Sequence, residues 1–532
     1  MASSAKCGGD PRHTLECMDT NARHRSIWLL VGAALLSLAH FRLGLGILAW
    51  IAPIPLLHYL RANDRARSRW LALGVMVLAW TLATAKILTA PMPLVLAFAW
   101  GLPIGTLLGL PYLGWAWLRP RIGEIRATLA FASSMVLGEC ALHALLPFGT
   151  WGSAANTQLD QLALLQLASV TGLHGVSFLM YAFAGALEAC LADRARWRIP
   201  FTAGAAVLSI VAAGQLRLAL ASDQHATVTR VATVDSDARF GGLPLPDRDE
   251  LDRIEAALFT RTREAARAGA RMVVWPEAAT MTERTDEHAF LARASSLAHD
   301  EGVRLVAAYV VPITREPLLY ENKYAMIAPS GRVEHVYEKH HPVPGEPSIA
   351  GAGPMPVAVD TALGRVSGAI CYDYDFPRLG LEHAELGVDV VALPASDWPG
   401  IDPIHGQMAV LRAIEGGHSI VRSTRMGLSI VIDPRGRTLA SHSDFDAGSN
   451  TLLAEVPVRG IETIYGVVGD SFIGACALYL LALAAWLASK RARVWYSRAR
   501  WQDPSSRSPR APSSPPASAS ASTATTCSPP QS

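Results

Sequence analysis

Along the first 220 residues apolar side chains run in long blocks, interrupted by short clusters of arginine and by scattered glycine and proline. Crossing the hydrocarbon core of a bilayer takes a helix of about 20 apolar residues. Blocks at 27–40, 43–60, 70–88, 93–117, 127–147, 172–191 and 199–220 approach or meet that length, and one more follows at 471–489. The pattern predicts a polytopic α-helical membrane domain of about eight spans. The first pair is short and divided only by Phe41 and Arg42, so it fits two crossings or one broken, re-entrant unit. No small-residue cleavage site is evident after the first block, and apolar blocks continue at once, which argues against a cleaved signal peptide.

The basic residues give an orientation, because short cytoplasmic loops are enriched in Lys and Arg. Arg23 and Arg25 precede the first block, and Arg61, Arg65, Arg67 and Arg69 follow the second. Arg119, Arg121 and Arg126 follow the fourth, Arg194, Arg196 and Arg198 the sixth, and Lys490, Arg491 and Arg493 the last. With eight crossings all of these clusters fall on one side, the expected cytoplasm, together with both termini. The loop from Pro147 to Gly172 has no Lys or Arg and falls opposite, as does the polar stretch between the seventh and eighth spans.

From about residue 226 the period changes. Thr227 to Val234 reads as a strand, Leu251, Ile254, Leu258 and Ala265 share a helical face that stops at Gly269, and Met272 to Trp275 reads as a second strand. A helix at 286–299, a strand at 303–311 and a hairpin of 323–329 with 332–337 around Ser330-Gly331 come next. Strands at 366–370 and 388–393, a helix at 404–416, a hairpin around Pro434-Arg435-Gly436 and a strand at 451–456 complete the series. Such alternation predicts a layered α/β domain. The expected organisation is a flexible extension at 1–26, a membrane domain at 27–221, an α/β domain at 222–468, a closing membrane helix at 469–489 and a basic, then disordered, tail at 490–532.

Composition agrees with a membrane protein: 51% of residues are apolar and 17% charged. A net charge of +2 gives no reason to expect a nucleic-acid partner. Of seven cysteines, Cys140, Cys190 and Cys476 lie within apolar blocks and Cys7, Cys17 and Cys527 in the tails, which leaves Cys371 alone in the α/β stretch. A thiol becomes a strong nucleophile near neutral pH when a base or a cation stabilises the thiolate. Glu277, after Val-Val-Trp-Pro, can serve as that base, and Lys339, in Tyr-Glu-Lys-His-His, can hold the thiolate and the oxyanion formed on attack at a carbonyl. The adjacent His340 and His341 do not form a zinc pattern, and neither a phosphate loop nor a dinucleotide-binding glycine motif is present, so no metal and no cofactor is expected.

Trp-Pro-Glu at 275–277, the 337–346 segment and Ile-Cys-Tyr-Asp at 370–373, at these intervals and behind a multi-span half, resemble the nitrilase (carbon-nitrogen hydrolase) superfamily. Within it the resemblance is to the membrane branch, the apolipoprotein N-acyltransferases, and covers roughly 27–489. It extends to Trp151-Gly152, Gln166, Gly172 to Phe178, His405 to Glu415, and Arg422 to Thr424 with Gly427 and Ser429. The resemblance implies an extracytoplasmic, nitrilase-like α-β-β-α sandwich in a bacterial inner membrane, with Glu277 as general base, Lys339 as electrostatic stabiliser and Cys371 as nucleophile. Glu346 would be a second, supporting acid, Tyr372 the aromatic beside the nucleophile, and Asp373 a shorter substitute for the family's usual Glu.

The implied reaction moves an acyl chain from phospholipid, through a Cys371 thioester, to the N-terminal amine of a diacylglyceryl-modified apolipoprotein. Several positions depart from the family pattern. The 341–346 segment is one residue shorter than usual, Ala395-Ser396-Asp397-Trp398 replaces Asn-Asp-Ala-Trp, and Asp235, Ser236 and Phe240 stand where the family has a Gln turn and a Trp on a mobile arm. Two other functions fit the residues less fully: a membrane-tethered amidase or nitrilase with water as acceptor, and a scaffold or transporter, for which Lys86, Glu139 and Glu188 are the charges near or within spans.

Overall fold

The computed structural model describes residues 26–502, except 91, 221–226, 239–244, 354–356 and 447–450 and the side chains of 494–502. The expected N-terminal extension, the tail beyond 502 and Phe240 lie outside the described residues. The described residues through Leu480 form one compact unit, and those from Leu481 form a second.

Helices α1 (Ser26–Ala39) and α2 (Ile47–Ala62) are apolar but shorter than the span-length helices. They are joined through left-handed backbone at Phe41 and Leu43, so the weak boundary in the sequence is a sharp turn. Helices α3 (Ala66–Ala85), α4 (Leu96–Ile122), α5 (Glu124–Ala144), α6 (Leu173–Ala192) and α7 (Arg198–Ala219) follow, each sitting a few residues from the block that predicts it or coinciding with it. With the closing helix, six among the described residues are long and apolar enough to cross a membrane.

The charges in this bundle are clamps. Lys86 donates to the carbonyls of Ser37 (2.7 Å) and His40 (2.5 Å) at the end of α1. Glu139 accepts from Ser153 Oγ (2.6 Å), Ala154 N (2.9 Å) and Tyr181 Oη (2.9 Å), which fixes the chain between α5 and α6. Arg61 binds Glu188 through Nε (2.6 Å) and Glu124 through Nη1 and Nη2 (2.8 and 2.7 Å), joining α2, α5 and α6, while Arg119 at the end of α4 stands 3.5 Å from Glu124. Two of the clustered arginines, Arg61 and Arg119, thus draw the helix ends together.

The α/β part is built on two six-stranded sheets. The first has strands β1 (Val228–Val234), β2 (Met272–Val274), β3 (Arg304–Arg315), β4 (Leu318–Ile327), β5 (Val333–Glu338) and β12 (Thr451–Pro457), in the order β12-β1-β2-β3-β4-β5. The second has β6 (Val359–Thr361), β7 (Gly364–Gly368), β8 (Val390–Ser396), β9 (Ser419–Arg425), β10 (Leu428–Ile432) and β11 (Thr438–Ser443), in the order β11-β10-β9-β8-β7-β6. Each sheet has three parallel strands at its centre, β1-β2-β3 and β7-β8-β9, with antiparallel strands outside them. Side chains from both sheets, including Val274, Val306, Tyr324, Val390 and Val421, form one apolar layer between them.

Helix α8 (Arg248–Arg267) starts at Asp247, whose carboxylate accepts from Glu250 N as an N-cap, and turns Ile254, Leu258 and Ala265 inward with α9 (Glu287–Asp300) onto the first sheet. Helices α10 (Pro377–Glu385) and α11 (Ile404–Gly416) belong to the second sheet's side. The layered α/β expectation therefore resolves into an α-β-β-α sandwich. Its closing helix, α12 (Ser471–Gln502), runs further than the expected 471–489.

Replacing Arg61 with Ala leaves Glu124 and Glu188 without their shared cation, at a cost of about 3–5 kcal/mol. Thermal unfolding of the detergent-solubilised protein should show a larger loss of melting temperature for Arg61→Ala than for Arg119→Ala.

Candidate active site

Glu277, Lys339 and Cys371 all follow the C-terminal ends of strands, β2 and β5 in one sheet and β7 in the other, where open α/β sheets place their ligands. Glu277 crosses between the sheets, its N–H donating to the Ala395 carbonyl (3.1 Å) at the end of β8. The next residue, Ala278, has φ +49°, and Cys371 itself has φ +48°. Left-handed backbone at non-glycine residues is strained and clusters at functional sites. Cys371 opens a 3-10 turn, Cys371–Asp375, and its thiol donates to the Ser396 carbonyl (3.5 Å).

The Lys339 ammonium is 1% exposed and lies 2.7 Å from Glu277 Oε1 and 2.7 Å from Glu346 Oε2. Asn322, on β4, donates to Glu277 Oε1 (2.7 Å) and to Glu346 Oε1 (3.3 Å), and Val343 N donates to Glu346 Oε2 (2.9 Å). The pattern joins Glu277, Lys339 and Glu346 through one network. Burial works against the Lys339 charge, but the two carboxylates outweigh it and hold its pKa well above the usual lysine value. Burial pushes the Glu346 carboxyl up, with Glu277 adding to the effect and Lys339 opposing it. Burial also pushes the Cys371 thiol well up, and among the charged groups acting on it Glu277 raises it and Lys339 lowers it. These influences favour the neutral thiol at Cys371.

Tyr372 and Asp373 do different work. Tyr372 Oη donates to the Pro147 carbonyl (2.7 Å) in the chain between α5 and α6. Asp373 is fully enclosed and accepts from five donors: Tyr337 Oη (2.9 Å), Ile370 N (3.3 Å), His340 N (3.1 Å), and both His341 N (2.7 Å) and Nδ1 (3.0 Å). It ties the turn of Cys371 to the segment of Lys339. His340 and His341, which form no zinc pattern in the sequence, supply the backbone donors for that tie.

Four groups near the thiol carry no role in the sequence reading. Asp375 accepts from Trp151 Nε1 (2.6 Å) and its backbone carbonyl accepts from Thr150 N (3.1 Å). His405 stands between Asp375 and Asp397, and Arg422 bonds to both oxygens of Asp397 (2.9 and 3.1 Å). The donor atoms of Cys371, Asp397 and His405 lie within 4.8 Å of one another, yet Asp397 and His405 are already committed to each other and to Arg422, so the trio reads as an ion-pair cluster and not as a ligand set for a metal. Asn322 had no sequence signal at all. Asp397, His405 and Arg422 were visible only as parts of matching segments.

A cavity opens onto Cys371, and most of its wall is apolar. Phe41, Ile87, Trp100, Ile104 and Phe148 from the helical half face Cys371, Tyr372, Trp398 and Ile401 from the sandwich across it. Seam hydrogen bonds hold the two halves at this place. Trp398 Nε1 donates to the Ile87 carbonyl (2.6 Å) just beyond α3, Gln166 Nε2 donates to the Arg435 carbonyl (3.0 Å), and Leu173 N at the start of α6 donates to Glu415 Oε1 (2.6 Å). The backbones approach so closely that a Cβ on Gly400 would sit 1.9 Å from the Ile87 oxygen.

Comparison with known proteins covers both halves. Residues 32–186 match the family model described as the apolipoprotein N-acyltransferase N-terminal domain, and residues 210–465 match the model described as carbon-nitrogen hydrolase. An apolipoprotein N-acyltransferase of Bradyrhizobium diazoefficiens is 31% identical over 414 residues, which are 68% of this chain and 73% of that one. One from Gloeobacter violaceus is 27% identical over 518 residues, 85% of this chain and 92% of the relative. One from Geobacter metallireducens is 27% identical over 376 residues, 65% and 71% of the two chains.

Because Asp373 is enclosed with all of its donors in place, Asp373→Glu should overfill the site. The substitution should cost about 1–3 kcal/mol of stability, read as a lower melting temperature.

Proposed function

As this chain belongs to the apolipoprotein N-acyltransferase family of the nitrilase superfamily, we propose that Cys371, Glu277 and Lys339 are the triad by which it transfers an acyl chain. The chain is a bacterial membrane acyltransferase with a helical membrane domain and a nitrilase-like domain. In our reading the donor is a phospholipid and the acceptor a diacylglyceryl-modified apolipoprotein. The observation that carries this reading is the wall of the cavity at Cys371, formed mostly by apolar side chains that the membrane half and the sandwich contribute together. An acyl chain is suited to such a wall, whereas a small polar amide would leave its own donors and acceptors unpaired there.

The steps follow from the groups in place. Cys371 Sγ bonds to the ester carbonyl carbon while Glu277 takes the thiol proton, and the oxyanion of the tetrahedral intermediate is held by the Lys339 ammonium. The carbon–oxygen bond of the ester then breaks, and the proton on Glu277 passes to the departing lysophospholipid oxygen. The acceptor's amine nitrogen attacks the thioester next, and Glu277 takes a proton from it and returns one to the sulfur as the carbon–sulfur bond breaks. Glu346 and Asn322 keep Glu277 and Lys339 aligned through both halves. Tyr372 and Asp373 support the nucleophile's turn.

The division at 1–26, 27–221, 222–468, 469–489 and 490–532 follows the changes of pattern in the sequence, and we adopt it. We further propose eight crossings, with the short α1 and α2 counted as two, both termini in the cytoplasm and the sandwich on the opposite side. The support is the distribution of arginine clusters under that count.

Incubation with labelled phospholipid should give a hydroxylamine-sensitive acyl adduct on the wild-type protein and none on Cys371→Ala. An adduct that persists in the variant removes Cys371 from the mechanism, and lipid that never attaches removes the transferase reading. Glu277→Gln should slow adduct formation by about 10²–10⁴-fold, the usual contribution of a general base. For the orientation, a membrane-impermeant maleimide should label a Ser296→Cys variant, exposed on α9, in intact spheroplasts. Labelling only after permeabilisation would place the sandwich inside.

A further inference from the structure

The acyl-transfer steps make no use of the charged cluster on the other side of the Cys371 turn. His405, at the start of α11, is 4% exposed and held at both ring nitrogens, Nδ1 by Asp397 Oδ1 (2.6 Å) and Nε2 by Asp375 Oδ1 (3.1 Å). A neutral imidazole has one N–H, so it could donate to one of these carboxylates and would set a lone pair against the other. Two carboxylates at opposite nitrogens therefore favour the imidazolium. Burial opposes that charge, but Asp375 and then Asp397 overcome it and raise the pKa of His405 to about 9, with Arg422 working against them.

The cluster is closed. Asp397 also receives Arg422, which comes within 3.1 Å of His405 Nδ1 as the two cations share that acid, and Asp375 also receives the Trp151 indole. Two cations thus balance two anions among groups fully or almost fully buried. The positions of the two acids matter most. Asp375 closes the 3-10 turn that Cys371 opens, and Asp397 follows Ser396, whose carbonyl receives the thiol. Asp397 is itself one of the anions that hold the thiol protonated.

We propose that His405 is a positioning residue of the acyl-transfer site: as an imidazolium clasped by Asp375 and Asp397 it fixes the left-handed turn of Cys371 against the end of β8 and neutralises Asp397 beside the sulfur. The proposal rests on Cys371 as the nucleophile. The groups facing the imidazole are Asp375 and Cys371 from the turn, Asp397 from the end of β8, Arg422 from β9 and the Trp151 ring. The sign of its pH dependence follows. The charge is present below the raised pKa and is lost as pH rises through about 9, which leaves a net negative cluster next to the developing thiolate.

The test uses the full-length protein in detergent. The initial rate of acyl-adduct formation on the wild type should fall as pH rises above about 9. In Asp375→Asn, which removes one of the two acids that raise His405, the fall should begin at least one pH unit lower. In His405→Gln adduct formation at pH 7 should be at least tenfold slower. Alkylation of Cys371 by iodoacetamide, followed by peptide mass spectrometry, gives a readout that needs no lipid, and His405→Gln should slow it about tenfold at pH 7.5, which corresponds to roughly one pKa unit. His405→Gln within twofold of wild type in alkylation, or Asp375→Asn with an unmoved alkaline limb, overturns the proposal. Failure of lipid to attach to the wild type would instead overturn the acyltransferase reading, and alkylation would still decide the role of His405. Should His405→Gln not fold, Asp375→Asn, which keeps the imidazole, decides alone.

Discussion

An ammonium group taken out of water must be matched on every side, and Lys339 is matched by Glu277 and Glu346, each at 2.7 Å. Without such partners the desolvation of one buried ion costs several kcal/mol. The partners come from separate places in the chain, one just past β2 and one in the loop after β5, with Asn322 of β4 bridging them. Strands β2, β4 and β5 of the first sheet must therefore be in register before the charge is tolerated. The second sheet then brings Cys371 to this trio by way of Asp373, which grips the backbone of His340 and His341 next to Lys339. Stability and chemistry depend here on the same few contacts.

The membrane half contributes more than an anchor. The connection between α5 and α6 is pinned from within by Glu139 and presents Phe148, Trp151 and the Pro147 carbonyl to the turn of Cys371. The charges of this half fit this task, since Lys86, Glu139 and Glu188 are each engaged by fixed partners as a scaffold would require. A nucleophile in an apolar enclosure feels charges strongly, because little water screens them. The ion balance around Asp397 and the lysine between two acids are both consequences of that setting.

Much of this was legible in the sequence, for identifiable reasons. Long apolar blocks predict helices well because each α-helix satisfies its own backbone, so hydropathy alone fixes α3 to α7 to within a few residues. The face of α8 and the helix at 404–416 follow from period 3.6, and Cys371, Glu277 and Lys339 stand out as candidate chemistry at strand ends. Pairing between distant strands has no local signature, so the split into two sheets was beyond periodicity and came only from resemblance. The break between α1 and α2 was ambiguous because its left-handed residues, Phe41 and Leu43, are not the glycines that usually announce such a turn. Asn322 was invisible for another reason: an amide inside a polar-apolar strand looks like any solvent-facing position until the partner acids arrive from elsewhere.

Trp398 caps the carbonyl of Ile87 and Gly400 leaves no room there even for a methyl group, so the sandwich and the third helix are fitted to each other at the scale of single atoms. Natural or laboratory recombination between relatives must respect this joint. A chimaera that exchanges one half at the obvious linker would bring together mismatched surfaces unless the residues around 87, 166, 173, 398 to 400 and 415 travel as a set. The two portions of the gene are consequently bound to a shared inheritance, and sequence drift on one face of the junction is permitted only when the opposite face drifts with it.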